Sequence, residues 1–341
     1  MLWIQGGAFV QLFNPNYNGS GLITSSGMEV IVVTFNYRVG PYGFLASSDL
    51  EREGNLNIGL HDQRTAMRWV VNHISQFGGD PKKITLFGTS VGGGSVLLQT
   101  LAYNGKPPPE DTGLWRAGIA AASFIPPIRR ISDLDYQYRD LLTRTGCRNL
   151  SCLRRLESNS IQAANIGTPF PGQLSVPLFP YGPVIDRKLF SNTASAMLTA
   201  GEYARDKPLI IGSSHTEGTI FVPQANSTSS IFSFLQTQYP DLTKTDLKKA
   251  NDLYLGVPTT IPGSTIPQSP LYYRLAKLYG DIGFSCPVLE FSTTFSNAGL
   301  AAYEFRDAIS DPIEVAAGYG TPHTWEVQPV PISFRHFTSP N

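Results

Sequence analysis

Residues 83–94 read KITLFGTSVGGG, and this stretch decides the fold class. The apolar run KITLF predicts a buried strand, and a helix is predicted to begin at or just after Ser90. Between them stands the pentad Gly-x-Ser-x-Gly at residues 88–92, whose glycines leave room for a sharp, strained turn. Such a strand-turn-helix lifts a serine hydroxyl clear of the sheet, where it can act as a nucleophile.

Short apolar runs of strand type recur on both sides of this pentad. They are MLWIQ, EVIVVTFN, RAGIAAAS, KPLIIG and LAAYEF. Helical spacing separates several of them, most clearly at residues 59–75, where Asp62, Arg64 and Arg68 are expected to face water. Strands that alternate with helices predict an α/β fold with a mostly parallel central sheet flanked by helices.

The alternation stops from residue 124 to about residue 201, a stretch rich in proline and short helical patterns. We expect a cap-like insertion over the sheet edge here, of the kind that shapes a pocket. Two helical regions follow, around residues 243–255 and 270–296. Because no linker interrupts the chain, residues 1–341 are predicted to form one domain.

A serine hydroxyl needs an imidazole to take its proton and a carboxylate to orient that imidazole. Glu217 follows the buried strand KPLIIG, and His323 lies in the loop GYGTPHTWE after the last strand. This order of serine, acid and histidine is typical of the strand-turn-helix nucleophile. We therefore predict Ser90 as nucleophile, Glu217 as acid and His323 as base.

Other residues compete for these roles, since the chain has five histidines. His61 and His73 fall on the amphipathic helix and are expected to be solvated, while His215 precedes the acid. His336 lies in a tail without a preceding strand. Asp186 is the rival acid, and it lies inside the insertion.

Acyl transfer also needs backbone N–H groups that point at the developing oxyanion. The segment QGGAF follows the first strand and can bring the N–H groups of Gly7 and Ala8 near the serine, with Val91 as third donor. Without the serine turn, these glycines would equally indicate an ordinary turn.

The composition excludes several classes of partner. Lys plus Arg and Asp plus Glu each number 26, which gives a formal net charge of +0 and no field that would hold nucleic acid or an anionic membrane. The longest apolar runs are far too short to cross a bilayer, so no integral membrane segment is expected.

The cysteines and sequons bear on the compartment. Cys147 and Cys152 are close enough in the chain to form a disulfide, although three buried thiols are the alternative. Glycosylation sequons stand at Asn18, Asn149 and Asn226, and together with a disulfide they favour a secreted, extracellular protein. The start, MLWIQGG, has no signal-peptide pattern and resembles mid-domain sequence.

The chain resembles the type-B carboxylesterase/lipase family, which includes cholinesterases and fungal esterases and lipases. The resemblance rests on TFNYRVGPYGFLA, GNLNIGLHDQRTAMRWVVNHISQFGGDPKKITLFGTSVGG, GLWRAG, GSSHTEG and GTPHTWE. It implies the α/β-hydrolase fold, the Ser90, Glu217 and His323 triad, and an oxyanion hole of Gly7, Ala8 and Val91. It further implies a Cys147–Cys152 disulfide, a small-molecule or lipid ester substrate, and neither metal nor organic cofactor.

The chain departs from the family pattern at Gln5, Thr89 and Val91, where His or Tyr, Glu and Ala are usual. A Ser-Gly pair is also usual near Ala122 and Ser123, so the hydrogen bond that steadies the acid is expected to be missing or shifted.

Family members extend beyond both ends of this chain, so the N- and C-terminal parts of the fold are expected to be missing, and a partner of Cys286 with them. Two alternatives to an active esterase therefore stay open. One is an inactive truncated fragment, and the other is a non-catalytic binding or adhesion relative. Oligomeric state is left open.

Overall fold

The computed structural model describes residues 1–13 and 16–327, and its centre is a six-stranded sheet. The strands are β1 (Leu2–Ile4), β2 (Val33–Thr34), β3 (Thr85–Thr89), β4 (Ala117–Ala121), β5 (Leu209–Ser214) and β6 (Ala302–Asp307). Their order is β2-β1-β3-β4-β5-β6, and every neighbouring pair is parallel. The predicted α/β class is thus confirmed. β2 is shorter than the run EVIVVTFN suggested, because only two of its residues pair with β1.

Helices join and flank these strands. They are α1 (Ser20–Ser25), α2 (Pro41–Phe44), α3 (Ser48–Arg52), α4 (Ile58–His73), α5 (Val91–Leu101), α6 (Ile131–Thr145), α7 (Leu150–Leu153), α8 (Ser158–Ala164), α9 (Ala194–Ala200), α10 (Thr228–Gln238), α11 (Lys244–Leu253), α12 (Tyr272–Gly280), α13 (Cys286–Asn297) and α14 (Pro312–Ala316). A π-helix, Asp281–Ser285, joins α12 to α13, and short 3-10 helices include Glu217–Ile220 and Trp325–Val327.

The main core surrounds α5, which is buried along its whole length. Its sequence VGGGSVLLQTL begins with small residues, so the first turn can approach β1, β3 and β4 closely, and its second half adds Val96, Leu97 and Leu98 to the core. This burial anchors the residue that precedes the helix, Ser90.

The prediction that Arg64 faces water is wrong. Its side chain is 3% exposed and its Nε donates to Asp111 Oδ2 at 2.7 Å, while a second nitrogen donates to Gln99 Oε1 at 2.9 Å. Arg68 also pairs with Asp111. A buried guanidinium is tolerated because a carboxylate and an amide oxygen satisfy its donors.

The segment between β4 and β5 contains α6 to α9 and, among the described residues, one isolated bridge, Arg129 to Val184. Apolar side chains of α6, such as Leu134 and Leu141, form a second cluster with Leu45 and Leu50 from before the insertion. The Cys147–Cys152 disulfide lies at this cluster.

Parallel strands bring all their carboxyl ends to one edge of the sheet. The loops after β1, β3, β4 and β5 therefore meet there, and the loop of residues 318–324 after β6 joins them through a hydrogen bond from Thr216 N to Thr321 O at 3.1 Å. This edge is where the candidate site lies.

Candidate active site

Ser90 occupies a strained turn between β3 and α5. Its φ of 59° and ψ of −131° are unusual for a residue with a side chain, and strain of this kind persists only where surrounding structure imposes it. The backbone of Ser90 is held on both sides by the end of β4 and the loop that follows it: its N–H donates to Ala121 O at 3.1 Å, and its carbonyl accepts from Phe124 N at 3.1 Å. The sequence therefore folds into the predicted strand-turn-helix at this serine.

Two glycines allow the backbone to crowd around that turn. A Cβ atom added to Gly92 would collide with the carbonyl oxygen of Ile4 at the end of β1, so only glycine fits there. A Cβ added to Gly6 would lie 2.9 Å from Ser90 Cβ and 3.5 Å from its hydroxyl oxygen. The loop after β1 therefore lies directly against Ser90.

That loop carries two of the three predicted oxyanion donors, Gly7 and Ala8. Gly7 and Ala8 both have positive φ, 104° and 57°. The N–H groups of Gly7, Ala8 and Val91 make no hydrogen bond to any other residue that the structure describes. Backbone N–H groups without a partner, on the loop next to Ser90 and at the start of α5, are the kind of donor that an oxyanion hole requires.

Gln5 fixes the base of the same loop. Its Oε1 accepts from Phe13 N at 2.9 Å, its Nε2 donates to Asn36 Oδ1 at 2.5 Å, and its own carbonyl accepts from the Tyr37 hydroxyl at 2.9 Å. Although this position departs from the family pattern, both its amide oxygen and its amide nitrogen make hydrogen bonds that hold the loop.

Glu217 follows β5 and is buried, with 1% of its side chain exposed. Its Oε1 accepts from the N–H of Ser214 at 2.6 Å, and its Oε2 lies 2.5 Å from His323 Nδ1. The hydrogen bond that steadies the acid thus comes from the backbone of β5, while the buried hydroxyl of Ser123 has no partner among the described residues.

His323 packs against the stacked rings of Phe221 and Phe284, whose centroids are 5.0 and 4.8 Å from the imidazole. Its Nε2 is buried and has no hydrogen-bond partner within residues 1–13 and 16–327. The structure therefore joins the acid to the histidine but does not form the hydrogen bond from Ser90 to Nε2. Catalytic hydrogen bonds of this kind commonly tighten only when substrate binds.

Sequence reasoning missed Glu326, which stands three residues after His323. Its carboxyl oxygens accept from Thr89 Oγ1 at 3.3 Å and Ser214 Oγ at 3.1 Å. Burial, followed by the negative charge of Glu217, raises its pKa to about 7. Glu326 ends the loop GTPHTWE, but no sequence motif or spacing identifies it as part of the site.

The residues that were alternatives to Glu217 and His323 make different contacts. Asp186 caps a turn: one of its carboxyl oxygens accepts three backbone N–H groups, from Lys188, Leu189 and Phe190, and the other accepts from Asn57 Nδ2. His61 and His73 lie on α4, and His215 N donates to Asp307 O. His336 lies outside the described residues.

The structure also describes the cysteines and sequons, which bear on whether the protein is secreted. Cys147 and Cys152 are bonded, with their Cα atoms 5.5 Å apart, and Cys286 is free. All three predicted glycosylation residues, Asn18, Asn149 and Asn226, are exposed.

Two features are absent from residues 1–13 and 16–327. None of the described helices is both long and apolar enough to cross a bilayer. Within the same residues, no group of three or more His, Cys, Asp or Glu side chains could hold a metal ion.

Comparison with known proteins identifies the family. A model of the carboxylesterase family matches residues 1–330. Lipase 2 of Geotrichum candidum is 32% identical over 311 residues, which cover 84% of this chain and 54% of the lipase. Secreted lipase 4 of Gibberella zeae is 31% identical over 340 residues, with coverage of 95% and 60%.

A solved structure agrees with these sequence matches. The crystal structure of Aspergillus niger EstA superposes with a TM-score of 0.88 at 36% identity, covering 95% of this chain and 62% of that protein. The chain thus spans between half and two thirds of the length of each of these relatives. Its parallel sheet has the α/β-hydrolase fold, and because the family model matches almost its whole length, the chain belongs to the carboxylesterase family.

Proposed function

We propose that this protein hydrolyses carboxylic esters through an acyl-enzyme intermediate, with Ser90, His323 and Glu217 as a triad. The observation that carries this is the 2.5 Å contact between His323 Nδ1 and Glu217 Oε2, which leaves Nε2 without a partner. An imidazole held in this way has its proton on Nδ1 and a free lone pair on Nε2, as a general base requires.

The reaction would proceed in two steps. His323 Nε2 takes the proton of Ser90 as the serine oxygen attacks the ester carbonyl, and Glu217 stabilises the imidazolium that forms. The N–H groups of Gly7, Ala8 and Val91 stabilise the oxyanion. The imidazolium then gives its proton to the departing alcohol, and a water molecule, activated by the same base, releases the acid.

The ester is proposed to carry an apolar group. Four phenyl rings pack in one cluster next to His323 and the serine turn: Phe124 lies 4.6 Å from Phe179 and 5.1 Å from Phe284, while Phe221 lies 5.6 Å from Phe284. Phe124 also donates its N–H to the carbonyl of Ser90. This cluster makes the surroundings of Ser90 and His323 apolar, which favours an acyl chain or alcohol of low polarity.

A direct test is turnover of p-nitrophenyl butyrate by the 341-residue chain, together with its thermal unfolding. We expect a cooperative transition and saturable release of p-nitrophenol, with no release above background from S90A. A chain that unfolds cooperatively but has no more turnover than S90A would contradict the proposal. A chain without any cooperative transition would favour the inactive fragment.

We further propose that residues 1–341 form a single α/β-hydrolase domain with a cap over the site, formed by about residues 124–201, and that the protein is secreted. The bonded cysteine pair, the exposed sequons and the secreted lipases among its relatives support export. Expression through a secretory host should give a product whose mass falls on enzymatic deglycosylation.

A further inference from the structure

The carboxyl group of Glu326 has a position that the proposed reaction does not use. It belongs to the 3-10 helix Trp325–Val327, immediately after the histidine loop. Both of its oxygens accept hydrogen bonds from hydroxyl groups, one from Thr89 at 3.3 Å and one from Ser214 at 3.1 Å. One side chain therefore connects this helix to two strands.

Those two strands are not neighbours. Thr89 ends β3 and Ser214 ends β5, and β4 lies between them. Since adjacent strands are spaced by about 4.8 Å, the two hydroxyl-bearing ends belong to strands roughly 10 Å apart. A carboxyl group that accepts from both ends connects them directly at the edge where the site lies.

Each hydrogen-bond partner is next to a residue of the proposed triad. Thr89 directly precedes Ser90, and the N–H of Ser214 donates to Glu217 Oε1 at 2.6 Å. Glu326 itself follows His323 by three residues. It is thus connected, through one residue or a short turn, to the nucleophile, the acid and the base.

We propose that Glu326 is a positioning residue, which holds the histidine loop on the ends of β3 and β5 so that the imidazole can reach both Ser90 and Glu217. This inference rests on the proposed ester hydrolysis. In this role Glu326 does not contact the substrate. Thr89, which stands where the family usually has glutamate, donates a hydrogen bond to Glu326.

The charge of Glu326 supplies a second observable. The ionisable groups that face its carboxyl group are Glu217, whose charge raises its pKa, and His323, whose charge lowers it, while burial has the largest effect and raises it. Because its pKa of about 7 leaves Glu326 mostly protonated below that pH, a variant that lacks the charge should differ from the unmodified chain mainly above pH 7.

The variants E326Q, E326L and T89V separate these effects. Glutamine keeps the capacity to bond both hydroxyls but lacks the charge, leucine lacks both, and T89V removes one hydrogen bond while the charge stays. The exposed Glu110 provides a control of equal charge change, E110Q. For each chain we would measure kcat and KM for p-nitrophenyl butyrate between pH 5 and 9, fluorophosphonate labelling rates, and thermal unfolding.

We expect E326L to lose about tenfold or more in kcat and in labelling rate, with KM within about twofold, because small displacements of reacting groups are costly. E326Q should lose much less than E326L and should come nearest to the unmodified chain below about pH 7, where Glu326 is itself protonated, while E110Q should match the unmodified chain at every pH. Unchanged kcat and labelling in folded E326L would overturn the inference. If E326L does not fold, unchanged kcat in T89V would overturn it instead.

These outcomes differ from failure of the proposed function. An unmodified chain that neither labels nor turns over would reject ester hydrolysis and the inference together. An active unmodified chain with an equally active E326L would reject only the role of Glu326.

Discussion

His323 Nδ1 lies 2.5 Å from Glu217 Oε2, and the two side chains are only 6% and 1% exposed. The two residues are 106 positions apart in the chain, so local structure alone cannot bring them together. It arises because β5 and β6 are parallel neighbours whose following loops meet at one edge of the sheet. An acid buried against one imidazole nitrogen is the feature on which the proposed chemistry depends.

Removing the charge of Glu217 should abolish most of the activity. In E217Q the amide can still contact His323, but it cannot stabilise an imidazolium, so we expect kcat for p-nitrophenyl butyrate to fall by about 10³-fold or more. The rival acid provides the control. D186N should lower the thermal midpoint, because Asp186 accepts four hydrogen bonds, and should leave kcat within about threefold. The reverse pattern would make Asp186 the acid.

Adding one methyl group to Gly92 should destabilise the protein. The new Cβ would collide with the carbonyl oxygen of Ile4, so α5 or β1 must shift, and overpacking of this kind costs about 2 kcal/mol or more. Urea unfolding of G92A would measure the loss. G256A is the matched control, since a Cβ at Gly256 meets no atom within 4 Å. Equal midpoints for the two variants would contradict the close packing at the serine turn.

The buried carboxylate of Asp111 should matter far more than an exposed one. Asp111 is 2% exposed at its side chain and pairs with Arg64 and Arg68, so D111A leaves a buried guanidinium without a charge partner and should cost about 3–5 kcal/mol. Asp62 pairs with Arg38, whose side chain is 58% exposed, and D62A should cost about 1 kcal/mol or less. Chemical denaturation of both variants would test this difference, and similar losses would refute it.

The pKa of Glu326 predicts how stability depends on pH. Because the folded pKa is raised from 4.5 to about 7, the folded protein binds this proton more tightly than the unfolded chain does. The associated stability is fully present below about pH 4.5 and is lost as the pH rises to about 7. The thermal midpoint of the unmodified protein minus that of E326Q should therefore decrease from pH 4.5 to 7.5. A difference that is independent of pH would argue against the raised pKa.

The sequence predicted those parts of the site whose structure depends on residues close together in the chain. The pentad around Ser90 specifies its own turn, because the glycines that the turn needs are within two residues of the serine. Glu217 and His323 could be proposed because each follows a recognisable strand. Their contact was inferred only from chain order, since nothing near either residue encodes the other.

Contacts between distant segments could not be predicted in the same way. Helical spacing places Arg64 on the polar face of α4 and therefore predicts that it is exposed. Its partner Asp111, which allows it to be buried, lies 47 positions later. Glu326 was missed for the same reason, as its two hydroxyl partners lie on β3 and β5. Pairing of buried polar groups is set by packing in three dimensions, which a periodicity argument does not contain.

The most direct test of the central claim is reaction of the folded chain with a fluorophosphonate, with the adduct located by peptide mass spectrometry. The account predicts one stoichiometric adduct on Ser90, absent from S90A and formed far more slowly in H323A and E217Q. Cooperatively folded protein in which Ser90 stays unmodified, under conditions that fully label a related carboxylesterase, would contradict it.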